Sequence, residues 1–244
     1  MTRRSPTPSS IQGLLVVDKP LGWSSMEVVR RVRRAAGGVK TGHAGTLDPL
    51  ATGIVICCLG KATKLVPRLM DLVKVYEAEV DLGAFTDTDD LEGPRTEVPV
   101  DEPPDEGAVR EVLKTFLGPH VQRPPAHSAV HVDGRRAYEL ARRGERVELA
   151  ERTVRIDSIE MLAYQWPRLG IRVICGKGTY IRSIARDLGP RLGTGGHLAA
   201  LRRTAVGPYD LSMAVDAKRL EDPVGQGILW CLLTDDNRRA FALD

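Results

Sequence analysis

Apolar residues recur along this chain at two spacings, and the spacing sorts its segments into strands and helices. Residues 13–17 form a continuous apolar run stopped by Asp18-Lys19-Pro20 and a turn at Gly22, which predicts a strand. Ser24 followed three residues later by Glu27 has the spacing of a capping box. Val28, Val29, Val32 and Ala36 then recur at helical spacing up to Gly37-Gly38. Arg30, Arg31, Arg33 and Arg34 fall mostly on the opposite face, giving an amphipathic helix with a basic exterior. Residues 53–59 and 73–82 predict strands, with a short helix at 62–70 between them. Residues 107–117 predict a helix ended by Gly118-Pro119, and strands at 153–164 and 169–175 precede a helix over 179–192. No repeat emerges, and strands and helices mix without regular alternation. The expected fold class is therefore α+β, with a central mixed, largely antiparallel sheet flanked by helices and loops.

The length of 244 residues and a hydrophobic content of 42% suffice for one large domain or two small ones. No apolar run approaches the ~20 residues needed to span a bilayer, so no membrane association is expected. Residues 1–12 are basic and rich in Ser and Pro and read as a disordered lead-in, a transit peptide being the weaker reading. Cys57 and Cys58 sit in one apolar run and Cys175 ends another, without a CxxC pair, which predicts reduced, buried thiols in a cytoplasm. His127 and His131 form an i, i+4 pair. Asp133-Gly134 directly after it suggests a strand entering a turn rather than the helix a metal face would need, so no metal site is expected.

The net charge of +3 conceals a segregation. Residues 1–40 carry eight Lys or Arg against two acids, and residues 168–203 carry eight against one, Asp187. Residues 81–111 carry eleven acids against two arginines. Basic segments sharing a face would suit a polyanion; scattered ones would be a solvated surface. The acidic DTDDLE run, residues 87–92, lacks the spacing of a calcium loop and reads as a solvated loop.

Residues 41–53, TGHAGTLDPLATG, hold a single carboxylate, Asp48, among glycines, small residues and a proline. Gly42, Gly45, Gly53 and Pro49 rule out a long helix, so the segment reads as a loop. Asp48 is then either a capping or turn residue or a nucleophile or base presented at the end of a strand.

Together with this loop, VVDKPLGWSS (16–25), KVYEAEVDLG (74–83), TDTDDLEG (86–93), PPAHSAVHVDGRRAYELARRG (124–144), GKGTYIRS (176–183) and LRRTAVG (201–207) make seven blocks in one order. In these blocks the chain resembles the TruB family of pseudouridine synthases. The resemblance implies the pseudouridine synthase fold and isomerisation of uridine 55 in the T-loop of transfer RNA. That reaction breaks a C–N glycosidic bond, rotates the base and rejoins it through carbon. Nothing is oxidised or lost, so no cofactor is expected, only a nucleophile, a grip on the detached base and a group that handles the C5 proton.

By the same resemblance Asp48 is the catalytic aspartate and Arg182 the arginine that pairs with it. Tyr76 stacks on the target base, Tyr180 and Leu201 line the base pocket, and His43 enters the space left by the flipped nucleotide. Extruding that nucleotide costs a few kcal/mol, which phosphate contacts would offset. Lys19, Lys64, Arg202 and Arg203 are candidates for those contacts, Lys19 having a second reading as a brace for the Asp48 loop. The implied partner is the T-arm of transfer RNA, bound by a cytoplasmic monomer.

His127 and His131 depart from the family, which usually has Tyr and Lys there. A histidine at 131 would make RNA affinity depend on pH. The expected organisation is the lead-in at 1–12, a catalytic domain over 13–210 with a mobile RNA-binding arm at 124–151, and a short extension at 211–244. The extension offers no room for the small RNA-binding domain of many bacterial relatives, which predicts a weaker, more salt-sensitive grip on transfer RNA. Two other readings are an RNA-binding folding factor with weak or lost catalysis and a guide-RNA-dependent relative working in a protein complex.

Overall fold

A computed structural model describes residues 11–128, 131–132, 135–136 and 149–221. Most of the lead-in, most of the arm expected at 124–151 and residues 222–244 of the extension lie outside these described residues.

The strands are β1 (Gly13–Lys19), β2 (Thr41–His43), β3 (Ala51–Leu59), β4 (Lys74–Asp81), β5 (Ala84–Thr86), β6 (Arg95–Glu97), β7 (Gly118–Gln122), β8 (His131–Val132), β9 (Arg135–Arg136), β10 (Arg152–Gln165), β11 (Arg168–Cys175), β12 (His197–Val206), β13 (Tyr209–Asp210) and β14 (Val215–Asp216). The α-helices are α1 (Ser25–Ala35), α2 (Val66–Asp71), α3 (Glu106–Lys114) and α4 (Ile181–Leu192). Ten of the strands belong to a mixed sheet, as the α+β reading expects. β14 runs parallel to β1, whereas β1–β3, β2–β3, β7–β10, β10–β11 and β12–β13 pair antiparallel. β5–β6 and β8–β9 are separate small hairpins.

The chain divides into two compact units, residues 1–74 with 202–244, and residues 75–201. In the first, strand order is β14-β1-β3, and β3 is buried on both faces, which is why residues 54–59 read as an unbroken apolar run. One face packs Leu14, Val16, Ile54, Ile56 and Cys58 against Ala62, Leu69 and Val206. α1 buries Val28, Val29 and Val32, the stripe its spacing predicts. Ser24 caps it by accepting from the Glu27 amide at 3.1 Å. Only half of the capping box forms as read, because the Glu27 carboxylate turns to Arg30 and, at 2.8 Å, Arg31. The helix expected at 62–70 splits into a 3-10 turn, Gly60–Leu65, and the short α2. The segment after residue 210 adds β14 beside β1 and buries Val215, Ala217 and Leu220, so part of the expected extension belongs to this unit's core.

In the second unit the order is β4-β11-β10-β7. β4 buries Tyr76, Ala78 and Val80 and β11 buries Leu169, Ile171, Val173 and Cys175, alternate positions in each case. α3, capped by Asp105 through the Ala108 amide at 2.7 Å, packs on β10 and α4 and buries Val109 and Leu113. The acidic run at 87–92 stays a turn, with Asp87 and Glu92 exposed as a solvated loop would have them, but Asp90 within it is buried. The run joins β5 to β6, and Asp90, like Asp81 before it, is buried because it has arginine and backbone N–H partners.

Gly53 has φ 99°, and a Cβ there would lie 2.2 Å from the Arg203 carbonyl oxygen. Gly22 has φ 84° with open space around it. Gly22→Ala is expected to cost about 1 kcal/mol for the backbone conformation alone. Gly53→Ala adds a backbone clash and is expected to cost at least about 3 kcal/mol, which chemical denaturation of the two variants checks.

Candidate active site

The Asp48 loop is built from pieces of the first unit. β2 pairs with β3 through Thr41↔Leu59, Gly42↔Cys58 and His43↔Cys57. The chain then loops through residues 44–50, and a turn closed by the Ala51 amide on the Asp48 carbonyl at 3.0 Å leads into β3. Pro49 fixes φ within that turn. Asp48 is half-buried at the turn's start, before the strand.

Irregular backbone held inward needs partners for its polar groups, and here side chains supply them. Ser25 Oγ accepts from the Leu47 amide at 2.7 Å and donates to the Leu47 carbonyl at 3.0 Å. The Gly22 amide donates to the Pro49 carbonyl at 2.8 Å. Lys19 Nζ donates to the carbonyls of Pro20 (3.0 Å), Trp23 (2.7 Å) and Pro49 (3.5 Å). Arg203 donates from Nε to Ile54 O (2.7 Å), from Nη2 to Gly45 O (3.1 Å) and from Nη1 to Thr46 O (3.4 Å).

Lys19 is 0% exposed and Arg203 1% exposed, so both side chains are committed to the loop's carbonyls instead of facing solvent as phosphate contacts would. The brace reading of Lys19 describes what its ammonium does. Burial pushes Lys19 down from 10.5 to about 8; the Asp48 carboxylate pulls it up and Arg203 pushes it down again. His43 is half-buried. Burial first and Arg203 second lower its pKa, against a bond to the Gly45 backbone, and its Nδ1 is buried with no hydrogen-bond partner. Of the other candidate cations, Lys64 is exposed, and Arg202 donates to Asp18 at 2.7 Å and to Thr52 Oγ1 at 3.3 Å.

The second unit holds Tyr76, Tyr180, Arg182 and Leu201. Tyr76 is buried on β4, facing the same way as Ala78 and Val80, and Leu201 is half-buried on β12. Tyr180 precedes α4. Its amide donates to Gln122 Oε1 at 2.8 Å and its carbonyl accepts from Gln122 Nε2 at 3.0 Å, while the Arg152 guanidinium lies 4.9 Å from its ring centroid. Arg182, on the first turn of α4, is 4% exposed. It donates from Nη1 to Asp90 Oδ2 (3.1 Å) and Thr88 O (3.2 Å), and from Nη2 to His127 O (2.8 Å).

Asp90 is the buried partner of Arg182 that sequence reasoning passed over. Its carboxylate also accepts from Thr88 Oγ1 at 2.5 Å and from the Glu92 amide at 3.0 Å. The Thr-x-Asp spacing at 88–90 is the local signal for such a turn. A reading based on net acidity hides it.

The fold is that of the pseudouridine synthases. A solved Cbf5-Nop10-Gar1 complex is similar with TM-score 0.63 and 33% identity over 82% of this chain. The match covers 50% of that solved chain, so this chain spans about half its length. The chain belongs to the TruB family of pseudouridylate synthases: the model of that family's N-terminal domain matches residues 33–181. The model of the tRNA pseudouridylate synthase B C-terminal domain matches residues 182–226. A tRNA pseudouridine synthase B of Paracoccus denitrificans (strain Pd 1222) is 52% identical over 200 residues, 82% of this chain and 67% of that protein. One of Parabacteroides distasonis is 44% identical over 222 residues, 88% of this chain and 94% of that protein.

Two predictions follow from the buried charges. Folded, Lys19 gives up its proton near pH 8; unfolded, near 10.5. Between these values the unfolded chain binds more protons, so the lysine's contribution to stability is least favourable below pH 8 and rises up to about 10.5. Relative to Lys19→Met, the wild type is expected to gain about 1–2 kcal/mol of unfolding free energy from about pH 7.5 to about pH 9.5 in urea titrations. Asp90→Ala leaves the buried Arg182 without its carboxylate and is expected to cost about 3 kcal/mol in thermal or chemical unfolding, with Asp90→Asn costing less.

Proposed function

We propose that this protein converts uridine to pseudouridine at position 55 in the T-loop of transfer RNA, with Asp48 as the nucleophile. The observation that carries the reading is the Asp48 loop itself. A half-buried carboxylate stands on a turn whose neighbouring carbonyls are gripped by two buried cations, in a chain of the TruB family. Identity to the curated transfer-RNA enzyme from Paracoccus denitrificans, 52%, exceeds the 33% shared with Cbf5, which supports a transfer-RNA substrate over a guided assembly.

The uridine leaves its stack, at a cost of a few kcal/mol that phosphate contacts offset. Exposed Lys64 and half-buried Arg202 are the candidates for those contacts that retain access to solvent. The Asp48 carboxylate attacks the sugar or the ring, and the C1′–N1 bond breaks. The base rotates, C1′ bonds to C5 and the bond to Asp48 breaks, returning the free carboxylate; the C5 proton departs and N1 gains one. His43 fills the space left by the flipped nucleotide, and Tyr76 stacks on the base within a pocket lined by Tyr180 and Leu201. Arg182 serves the reaction, as the family resemblance assigns it. The reaction proceeds without cofactor in a cytoplasmic monomer. Among the described residues no helix is long and apolar enough to cross a membrane.

Because the C5 hydrogen is lost, unmodified transfer RNA carrying tritium at uridine C5 reports the reaction directly. Wild type is expected to release one tritium equivalent per transfer RNA without added metal or cofactor. Asp48→Asn is expected to lower the rate at least about 10³-fold with transfer-RNA affinity retained. Equal rates in the two proteins would end the assignment of Asp48.

A further inference from the structure

Helix α4 carries two arginines one turn apart on one face, and each guanidinium is used in the same way. Arg182 places Nη1 on the 88–90 turn and Nη2 on the carbonyl of His127. Arg186 places Nη1 on Asp89 Oδ2 at 2.9 Å and Nη2 on the carbonyl of Arg123 at 2.9 Å. Its Nε binds Asp187 Oδ1 at 2.8 Å, which fixes the guanidinium plane. Ser183, between the two on the same helix, donates Oγ to the Arg123 carbonyl at 2.8 Å. The two arginines therefore span the same two strips of backbone: the turn that contains Asp90, and the segment 123–127.

The turn is one that a side chain must hold in shape. Asp89 has φ 60°, the one non-glycine residue with positive φ among the described residues. Its amide donates to the Thr86 carbonyl at 3.2 Å, and its own carbonyl accepts from the Leu198 amide at 3.0 Å. Strain of this kind persists where surrounding contacts over-determine it. Here the extra contact is the ion pair with Arg186, directly beside the residue that receives Arg182.

We infer that Arg186, paired with Asp89, is a positioning residue for the isomerisation. It fixes the 88–90 turn and the 123–127 segment so that the acceptors of Arg182 lie where that guanidinium must be held. The inference rests on the proposed activity, in which Arg182 serves the reaction. A lysine at 186 is a point charge without the fork and cannot bind Asp89, Asp187 and the Arg123 carbonyl together. A glycine at 89 adopts φ 60° without strain, so it keeps the turn and removes only the carboxylate.

The test compares Arg186→Gln, Arg186→Lys and Asp89→Gly with wild type in three measurements: single-turnover tritium release at saturating enzyme, transfer-RNA Kd and melting temperature. All three variants are expected to lower the single-turnover rate about tenfold with Kd changed less than about twofold. Arg186→Gln added to Arg182→Lys is expected to cost little more than Arg182→Lys alone, since both act through one guanidinium. A rate unchanged in Asp89→Gly, or a loss confined to Kd or to melting temperature, overturns the inference. Should Arg186→Gln not fold, Asp89→Gly decides. An inactive wild type would instead bring down the proposed activity, and this inference with it; an active wild type with equally active variants brings down the inference alone.

Discussion

The buried Arg203 guanidinium is the contact on which the Asp48 loop depends. It reaches from β12 to the Ile54 carbonyl in β3 and to the Gly45 and Thr46 carbonyls of the loop, so one planar group fixes strand and loop together. A buried cation is costly unless its donors are met, and here backbone carbonyls meet them. The geometry needs a second condition. The backbone of Arg203 comes so close to residue 53 that no side chain fits there, and residue 53 is glycine with φ 99°. Gly53 and Arg203 lie 150 positions apart in the chain yet form one structural unit.

The same solution appears in both halves of the chain with different chemistry. In the first unit, inward-facing carbonyls of the loop are answered by Lys19, Arg203 and the hydroxyl of Ser25. In the second, the turn at 88–90 and the carbonyls at 123 and 127 are answered by Arg182, Ser183 and Arg186. Irregular segments ordinarily lie on the surface because their backbone groups lack partners inside. Long cationic side chains permit these segments to be buried, and the arginines also bring carboxylates, Asp89 and Asp90, in with them.

Local pattern was enough for β1, α1, β3, β4, β10, β11 and α4, all of which form within a few residues of their expected limits. It failed at β12, where HLAALRRTAV has no clean alternation because Arg203 is buried and Arg202 pairs with Asp18. It also failed for Arg203 and Asp90, and for Lys19 it left phosphate contact and loop brace both open. Each of these is charged in the sequence and buried in the fold, and the partner that permits burial, a carbonyl for the cations and an arginine for Asp90, is one that spacing does not announce. For Asp48, composition allowed a turn residue or a nucleophile, and the turn is present: its carbonyl accepts from Ala51. The two readings are compatible, since the turn is what presents the carboxylate.

Arg203 also orders the titration of its neighbours. A guanidinium keeps its charge at any working pH, whereas an ammonium or an imidazole does not. Burial is the larger cause of the lowered pKa values of Lys19 and His43, and Arg203 pushes both further in that direction. The effect is asymmetric. Lys19, drawn back up by Asp48, still lies near 8 and remains charged at neutral pH, so its three donors stay available to three carbonyls. His43 starts at 6.5 and moves lower, so at neutral pH it is an uncharged ring. A neutral imidazole can donate one hydrogen bond and accept another without adding charge, while the cations that grip the loop, Lys19 and Arg203, are residues the solvent does not reach. Permanent charge is thus placed in the interior and adaptable polarity at the loop, which separates holding the Asp48 loop in shape from presenting a neutral polar ring at its start.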